Sequence, residues 1–316
     1  MHYDAVLLVS FGGPEQPEDV MPFLEIVLRG RNIPRERMLE VAEHYYHFGG
    51  RSPINDQCRE LLAALRQATP LPVYWGNRNW HPFLEDTLRQ MMKEGVKRAL
   101  AIATSAYSSY SACRQYIENI EAARAAIGEG APIVHKLPPF SGHPLFVEAN
   151  AERVAEALAR LPGARLVFTA HSIPKAMADT CRYEEELRTA SARVAELCDM
   201  DAWDLAWQSR SGPPSQPWLG PDIRDHLRAL AAEGVHRVVV SPIGFLSDHM
   251  EVLYDLDVEA AALAKELGIE LVRAGTTGVH PKIIAMLAEL IEQRLAAPEP
   301  LICPDGCCPG PPRRAA

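Results

Sequence analysis

Ionisable side chains follow two apolar runs of this 316-residue chain. The segment FTAHSIP (168–174) places His171 directly after the run RLVF, and SDHME (247–251) follows closely on the run RVVVSPIGF. An imidazole that faces carboxylates has a raised pKa, so it can accept and return protons near neutral pH. The same nitrogen and oxygen donors also suit Fe²⁺ or Co²⁺. A histidine at a strand end can equally be a hydrogen-bonded structural residue, so the neighbouring residues are needed to distinguish a structural role from a chemical one.

The segment 247–260 carries three carboxylates at regular spacing. If it is helical, Glu251, Asp255 and Glu259 lie at positions i, i+4 and i+8, close to one stripe of the helix surface. Like charges at this spacing destabilise a helix by a few tenths of a kcal/mol per pair. The row is either a solvated acidic face or a path for protons or cations. Its place after an apolar strand favours the path.

Short apolar runs alternate with segments of helical periodicity along the chain. This pattern predicts parallel sheets covered by helices, with functional groups at the carboxyl edges of the strands. The predicted strands are 5–11, 72–77, 98–106, 165–170, 204–209 and 237–245, and the predicted helices include 81–95, 144–162 and 280–297.

A weak internal repeat predicts two similar lobes. YDAVLLVSFGGP resembles GARLVFTAHSIP, and EGVKRALAI resembles EGVHRVVVS further on. The repeat places Phe11 and His171 at equivalent strand ends on opposite walls of one cleft. The first half carries an additional segment, residues 29–55, which suits a lip over that cleft. The predicted division is 1–140 for the first lobe, 141–275 for the second and 299–316 for a tail rich in Cys and Pro.

Composition limits the classes of partner. A net charge of −9 argues against nucleic acid. The absence of a long apolar run and of a signal-like N-terminus leads us to expect a cytoplasmic protein with at most weak membrane contact. The loop WQSRSGPPSQPWLGPDI (207–223) holds Trp207 and Trp218 among prolines, which suits either a structural loop or a wall for a large planar ligand.

Taken together, these segments resemble the ferrochelatase family over nearly the whole chain. The matching motifs, in order, are LLVSFGGPEQPEDV, HFGGRSPIN, FTAHSIP, WQSRSGPPSQPWLGPDI and FLSDHMEVLYDLD. The resemblance implies an α/β fold of two Rossmann-like lobes with parallel four-stranded sheets and a porphyrin cleft between them. It also implies that a C-terminal helix, at about 276–298, returns to the first lobe.

The resemblance further implies roles for individual residues. His171 and Glu251 match the catalytic pair that also meets the Fe²⁺ substrate, and Asp255 and Glu259 match the acidic path beside that pair. Asp248 and His249 match neighbours of this path. The implied porphyrin contacts are Phe11, Arg29, Arg31, Ser52 and Arg78, which join the two tryptophans of the aromatic loop. Asn79 stands where members often carry Tyr or His, and Phe11 varies among members.

Seven cysteines are unevenly distributed, with three of them crowded into CPDGCC (303–308). Clustered cysteines in a reducing compartment more often bind metal or are reactive than form disulfides. Some ferrochelatases carry a 2Fe–2S cluster, and the resemblance implies the ligands Cys113, Cys303, Cys307 and Cys308. Four thiolates also suit zinc, and a tail with free thiols is the remaining alternative.

The predicted function is insertion of Fe²⁺ into protoporphyrin IX or coproporphyrin III with release of two protons. The segment RGRNIPRERM resembles Gram-positive and actinobacterial members, several of which use coproporphyrin. The alternatives are a cobaltochelatase of the same fold and a non-catalytic tetrapyrrole or metal carrier. The expected partners are porphyrin and ferrous iron, with weak contact to a membrane or haem acceptor, in a monomer or homodimer.

Overall fold

The computed structural model describes residues 2–30, 33–213, 215–296 and 306–310. The first lobe is built on four parallel strands in the order β2-β1-β3-β4. Its strands are β1 (Ala5–Ser10), β2 (Val73–Asn77), β3 (Arg98–Ala103) and β4 (Ile133–Lys136). Its helices are α1 (Val20–Val27), α2 (Arg35–His47), α3 (Ile54–Ala68), α4 (Leu84–Lys93) and α5 (Gln115–Ile127), and a short π-helix, Tyr110–Arg114, precedes α5.

The second lobe repeats this plan with the strand order β6-β5-β7-β8. Its strands are β5 (Arg165–His171), β6 (Trp203–Gln208), β7 (Arg237–Ser241) and β8 (Glu270–Arg273). Its helices are α6 (Pro144–Arg160), α7 (Lys175–Ala178), α8 (Tyr183–Leu197), α9 (Ile223–Ala232), α10 (Met250–Val252) and α11 (Ala261–Glu266). A π-helix, Leu253–Ala260, joins α10 to α11, and α12 (Pro281–Ala296) ends the described helices.

The α/β fold class with two parallel four-stranded sheets is confirmed. The central strand β1 corresponds to β5 and its neighbour β3 corresponds to β7, as the sequence repeat predicts. Both central strands are apolar and almost wholly buried because helices cover both faces of each sheet.

One large apolar core joins the two lobes. It contains Leu8 from β1, Phe168 from β5, Phe146 from α6 and Met286 from α12, all at most 1% exposed. Helix α12 packs against α6 of the second lobe and α3 of the first. Because one core continues across both sheets, the strand ends of the two lobes are held in a fixed relation.

Two edge strands were not among the runs recognised in the sequence. β4 and β8 have four residues each, and their side chains are mostly only partly buried. Each therefore lacks the continuous apolar run that marks a strand covered on both faces. Within the described residues, no helix has both the length and the hydropathy that a bilayer span requires.

Candidate active site

His171 is the last residue of β5, at the carboxyl edge of the second sheet. Its Nδ1 lies 2.5 Å from the carbonyl oxygen of Ser172. A carbonyl only accepts, so Nδ1 carries the proton and Nε2 of the neutral ring keeps its lone pair. Nε2 lies 3.5 Å from Oε2 of Glu251, and the His171 side chain is 30% exposed. The basic nitrogen is therefore directed towards a carboxylate at a partly open position.

The surroundings raise the pKa of His171 above its ordinary value. Burial alone would lower it, but the charge and the hydrogen bond of Glu251 oppose burial, and the Ser172 carbonyl and Asp255 add to the increase. Both acceptors stabilise the imidazolium, since each ring nitrogen then donates to an oxygen. The ring can thus accept a proton without a large cost.

Glu251 reaches His171 because the loop after β7 packs closely against the end of β5. A Cβ on Gly244 would lie only 2.5 Å from Cβ of Ala170, so a larger residue here would push the loop away. The Gly244 N–H donates to the Thr169 carbonyl at 3.0 Å. His249 then caps the helix that follows, where its Nδ1 accepts from the Glu251 N–H at 3.2 Å. Burial lowers the pKa of His249, with Glu251 opposing the change and His171 adding to it.

The segment carrying the carboxylates is helical, but not as an α-helix throughout. Only Met250–Val252 is α-helical, and Leu253–Ala260 is a π-helix. A π-helix also has more than four residues per turn, so side chains four apart still lie near one stripe. π-Helical turns are rare in proteins as a whole, but those that occur often lie at functional sites. The expected row of carboxylates is thus formed with a different helical geometry.

Asp255 is the most perturbed carboxyl of this row. Its pKa is raised to about 7, mainly by burial and also by the charges of Glu251 and Glu259, while the Ser209 hydrogen bond and His171 oppose the increase. The Ser209 hydroxyl donates to Oδ2 of Asp255. At neutral pH this carboxyl is close to half protonated, which is the condition for exchanging protons in either direction.

Arginines hold the carboxylates Glu259 and Asp248 on either side of Glu251 and Asp255. Oε2 of Glu259 lies 3.3 Å from Nη1 of Arg224. Oδ1 of Asp248 lies 3.1 Å from Nη1 of Arg273, and the Asp248 N–H donates at 2.9 Å to Gln57 of the first lobe. Asp248 therefore ties the two lobes together beside the row.

The lip helix α2 lies over the row, which the sequence did not indicate in residue detail. The His44 ring stacks on Tyr254 of the π-helix, with centroids 3.7 Å apart and ring planes 9° apart. Burial raises the pKa of Tyr45 well above its ordinary value, and the charge of Glu251 raises it further. A phenol that stays protonated thus faces the His171–Glu251 pair from the opposite lobe.

Phe11 and Arg78 lie together at the carboxyl edge of the first sheet. The Arg78 guanidinium is 5.6 Å from the Phe11 ring centroid and 4.5 Å from that of Tyr116, and its Nε donates to Asn119 at 2.6 Å. The neighbouring Asn79 donates to the Phe11 carbonyl at 3.2 Å. The cation and the ring thus lie together at this edge, and their contact with porphyrin stays a prediction.

The other residues expected to contact porphyrin divide into three groups. Arg29 is exposed and Trp218 is partly exposed. Ser52 is 3% exposed, and its Oγ accepts from the Ile54 N–H at 3.5 Å, so its hydroxyl is engaged at the start of α3. Arg31 lies outside the described residues.

Trp207 requires a correction. Its side chain is 1% exposed, and its ring lies in the core, 6.0 Å from that of Tyr183. Alternate residues of a strand point to opposite faces, and β6 directs Trp207 towards the helices that cover the sheet. The expectation that this ring lines an open wall is wrong, because the ring is buried in the apolar core.

The cysteines are only partly brought together. Cys113 and Cys308 are 5% exposed, and the sulfurs of Cys307 and Cys308 are 3.9 Å apart. Burial raises the pKa of Cys308, and Cys307, Cys113 and Cys181 raise it further. Cys303 lies outside the described residues, and among those described no three His, Cys, Asp or Glu side chains form a metal-binding group.

The geometry can be compared with known proteins. The ferrochelatase family model matches residues 3–295. The chain belongs to the ferrochelatase family. It is 52% identical to a ferrochelatase of Rhodopirellula baltica, over 99% of this chain and 95% of that protein. It is 53% identical to a coproporphyrin III ferrochelatase of Mycobacterium ulcerans, over 95% of this chain and 89% of that protein.

Solved structures agree on the fold. The structure of SirB from Bacillus subtilis with Fe³⁺ is similar at a TM-score of 0.59 and 12% identity, covering 93% of this chain and 95% of that one. At this identity the likeness shows the chelatase-like fold alone. Family membership and relatives that are about half identical make this chain a metal chelatase of the ferrochelatase type.

Proposed function

We propose that the protein inserts Fe²⁺ into coproporphyrin III, with His171 as the base that removes the two pyrrole protons. The observation that carries this proposal is the position of His171 Nε2, 3.5 Å from Oε2 of Glu251 at the carboxyl edge of the second sheet, where Glu251 can stabilise the imidazolium once Nε2 has taken a proton. Support for coproporphyrin III comes from the names of relatives such as that of Mycobacterium ulcerans. Protoporphyrin IX is the alternative substrate.

The reaction replaces two N–H protons of the macrocycle with one Fe²⁺. Each pyrrole proton passes to Nε2 of His171, and the imidazolium formed is stabilised by Glu251 on one side and the Ser172 carbonyl on the other. The proton then leaves along Asp255 and Glu259. Because the pKa of Asp255 is about 7, this carboxyl can take a proton from the imidazolium and pass it on near neutral pH. The same carboxylates deliver Fe²⁺ as a hydrated cation.

A single anaerobic assay tests the substrate and the metal. Fe²⁺ is supplied with coproporphyrin III and, separately, with protoporphyrin IX, and each reaction is repeated with Co²⁺. We expect repeated turnovers with Fe²⁺ and a higher kcat/KM for coproporphyrin III. Faster turnover with Co²⁺ would favour a cobaltochelatase, and binding without turnover would favour a carrier.

Replacing Asp255 with Asn should have opposite effects on stability and turnover. In the unfolded chain the pKa of an aspartate is near 3.8, whereas in the folded chain that of Asp255 is about 7. The folded state therefore loses stability as pH rises from about 4 to about 7 and carries the full cost above pH 7. Allowing for partial exposure, we expect this cost to be about 2 kcal/mol.

Asp255→Asn should thus raise Tm by a few degrees at pH 8 and leave it nearly unchanged at pH 4. Turnover should fall about tenfold because the amide cannot relay a proton. Tm measured across this pH range for both proteins is the check. An equal difference in Tm at pH 4 and pH 8 would contradict the assigned ionisation.

We further propose that Cys113, Cys303, Cys307 and Cys308 hold a 2Fe–2S cluster. Support comes from the burial of Cys113 and Cys308 and from the contact between adjacent cysteines. The pKa of Cys308 is raised first by burial and then by its neighbours Cys307, Cys113 and Cys181, and the positive charge of a bound iron–sulfur core would offset the repulsion among these thiols once they are ionised. When bound, the cluster would supply a one-electron redox group, and no step of the chelation depends on it.

Cys113→Ser should remove the cluster. Purified protein should be brown, with visible absorption and two non-substrate irons per chain, and both should be lost in the variant. Cys198→Ser is the matched control, since Cys198 lies at the end of α8 with its sulfur on the Ala151 carbonyl. A colourless protein that contains zinc would refute the cluster and favour a zinc site.

A further inference from the structure

The carboxyl end of β6 contacts both halves of the catalytic pair. Gln208 is the last residue of β6 and is in register with His171 on β5. Its carbonyl accepts from the Ser172 N–H at 2.8 Å, and its side-chain Nε2 donates to the Glu251 carbonyl at 2.9 Å. One residue therefore links the strand that carries His171 to the helix that carries Glu251.

The next residue makes a second link. Ser209 adopts a φ of 61°, a left-handed conformation that residues other than glycine seldom take. Its hydroxyl donates to Oδ2 of Asp255 in the following turn of the acidic segment. Glycine would adopt this backbone conformation with less strain, so the presence of a serine indicates that its hydrogen bond to Asp255 has a role.

The burial of Gln208 and its unpartnered side-chain oxygen favour a positioning role over a role in stability. Its side chain is 1% exposed, and its Oε1 has no hydrogen-bond partner among the described residues. An orphaned buried acceptor costs free energy, so an amide is a poor choice for packing alone. Its single side-chain hydrogen bond, to the Glu251 backbone, then accounts for its presence.

We propose that Gln208 and Ser209 are positioning residues, which together fix the distance from His171 to Glu251 and Asp255. This inference rests on the proposed function of that pair. Neither side chain needs to touch porphyrin or iron. Gln208 fixes where the acidic helix begins, and Ser209 fixes the direction of its second carboxylate.

Gln208→Met tests the first link with a side chain of similar length and volume. It removes the hydrogen bond to Glu251 and also the unpartnered Oε1, so Tm should change little. We expect kcat to fall about tenfold, because Glu251 loses the hydrogen bond that holds its backbone in place, with KM for porphyrin unchanged.

Ser209→Gly tests the second link without imposing backbone strain. Glycine accepts the positive φ, so Tm should be equal or higher while kcat falls about tenfold. Asp199→Gly is the matched control, because Asp199 has a φ of 55° beyond the end of α8. It should show the same change in Tm with kcat unchanged.

Two results would overturn the inference. One is wild-type kcat in both Gln208→Met and Ser209→Gly, and the other is a kcat loss that follows an equal loss of Tm, since this would assign both residues to stability. An inactive wild-type enzyme is a different failure: it would overturn the proposed function, and this inference with it.

Discussion

His171→Ala should lower kcat about a thousandfold with KM for porphyrin nearly unchanged. General-base catalysis contributes about 10²–10⁴-fold to a reaction rate. Nε2 of His171, which lies 3.5 Å from Glu251, carries the lone pair that would accept the proton. The side chain is only partly buried and its Nδ1 bonds the adjacent Ser172, so its removal leaves the strand intact. Steady-state kinetics with Fe²⁺ under anaerobic conditions measures the effect.

His236→Ala is the control for this variant. His236 is exposed and precedes β7, at the end of the sheet opposite to His171. It should keep the wild-type kcat. Near-normal turnover in His171→Ala would remove His171 as the base and leave Glu251 as the candidate.

Glu251→Gln should lower the maximal rate about a hundredfold and move the acidic limb of the pH profile to lower pH. Glu251 raises the pKa of His171 through its charge and hydrogen bond. In the wild type, activity should fall as pH is lowered through this raised pKa, because the protonated ring cannot act as a base. Without the carboxylate, His171 stays neutral to lower pH, but its imidazolium loses the partner that stabilises it.

The profile of log(kcat/KM) against pH measures both effects. Asp257→Asn is the matched control, since it removes a carboxylate from the same helix, one paired with Arg273 at 2.6 Å. Its acidic limb should coincide with that of the wild type. If the acidic limb of the Glu251→Gln profile lies at the same pH as that of the wild type, this carboxylate does not set the pKa of the catalytic base.

Much of the fold was predictable because buried parallel strands have a simple signature. The six apolar runs correspond to β1, β2, β3, β5, β6 and β7 within a few residues. The runs at 98–106 and 237–245 extend beyond their strands, which end at Ala103 and Ser241, because the loop that follows each strand also contains apolar residues. β4 and β8 escaped notice because each has only four residues, mostly not fully buried, and so lacks a continuous apolar run.

The ionisable residues of the candidate site could be predicted from the sequence, but the residues that hold them in place could not. The resemblance named His171, Glu251 and Asp255, and the structure places them together. Gln208 and Ser209 were not singled out, because hydrogen bonds across more than forty residues leave no local pattern in a sequence. The one available signal was their position at the carboxyl end of the apolar run 204–209.

The sequence by itself determined the alternation of strands and helices, the repeat of two lobes and the chemical groups at the strand ends. These follow from local periodicity and composition, which act over a few residues. Only the tertiary structure decided that Trp207 is core, that the acidic row is π-helical and that α2 covers it through His44 and Tyr254. Such outcomes depend on packing between distant segments, whose free energy no single segment contains.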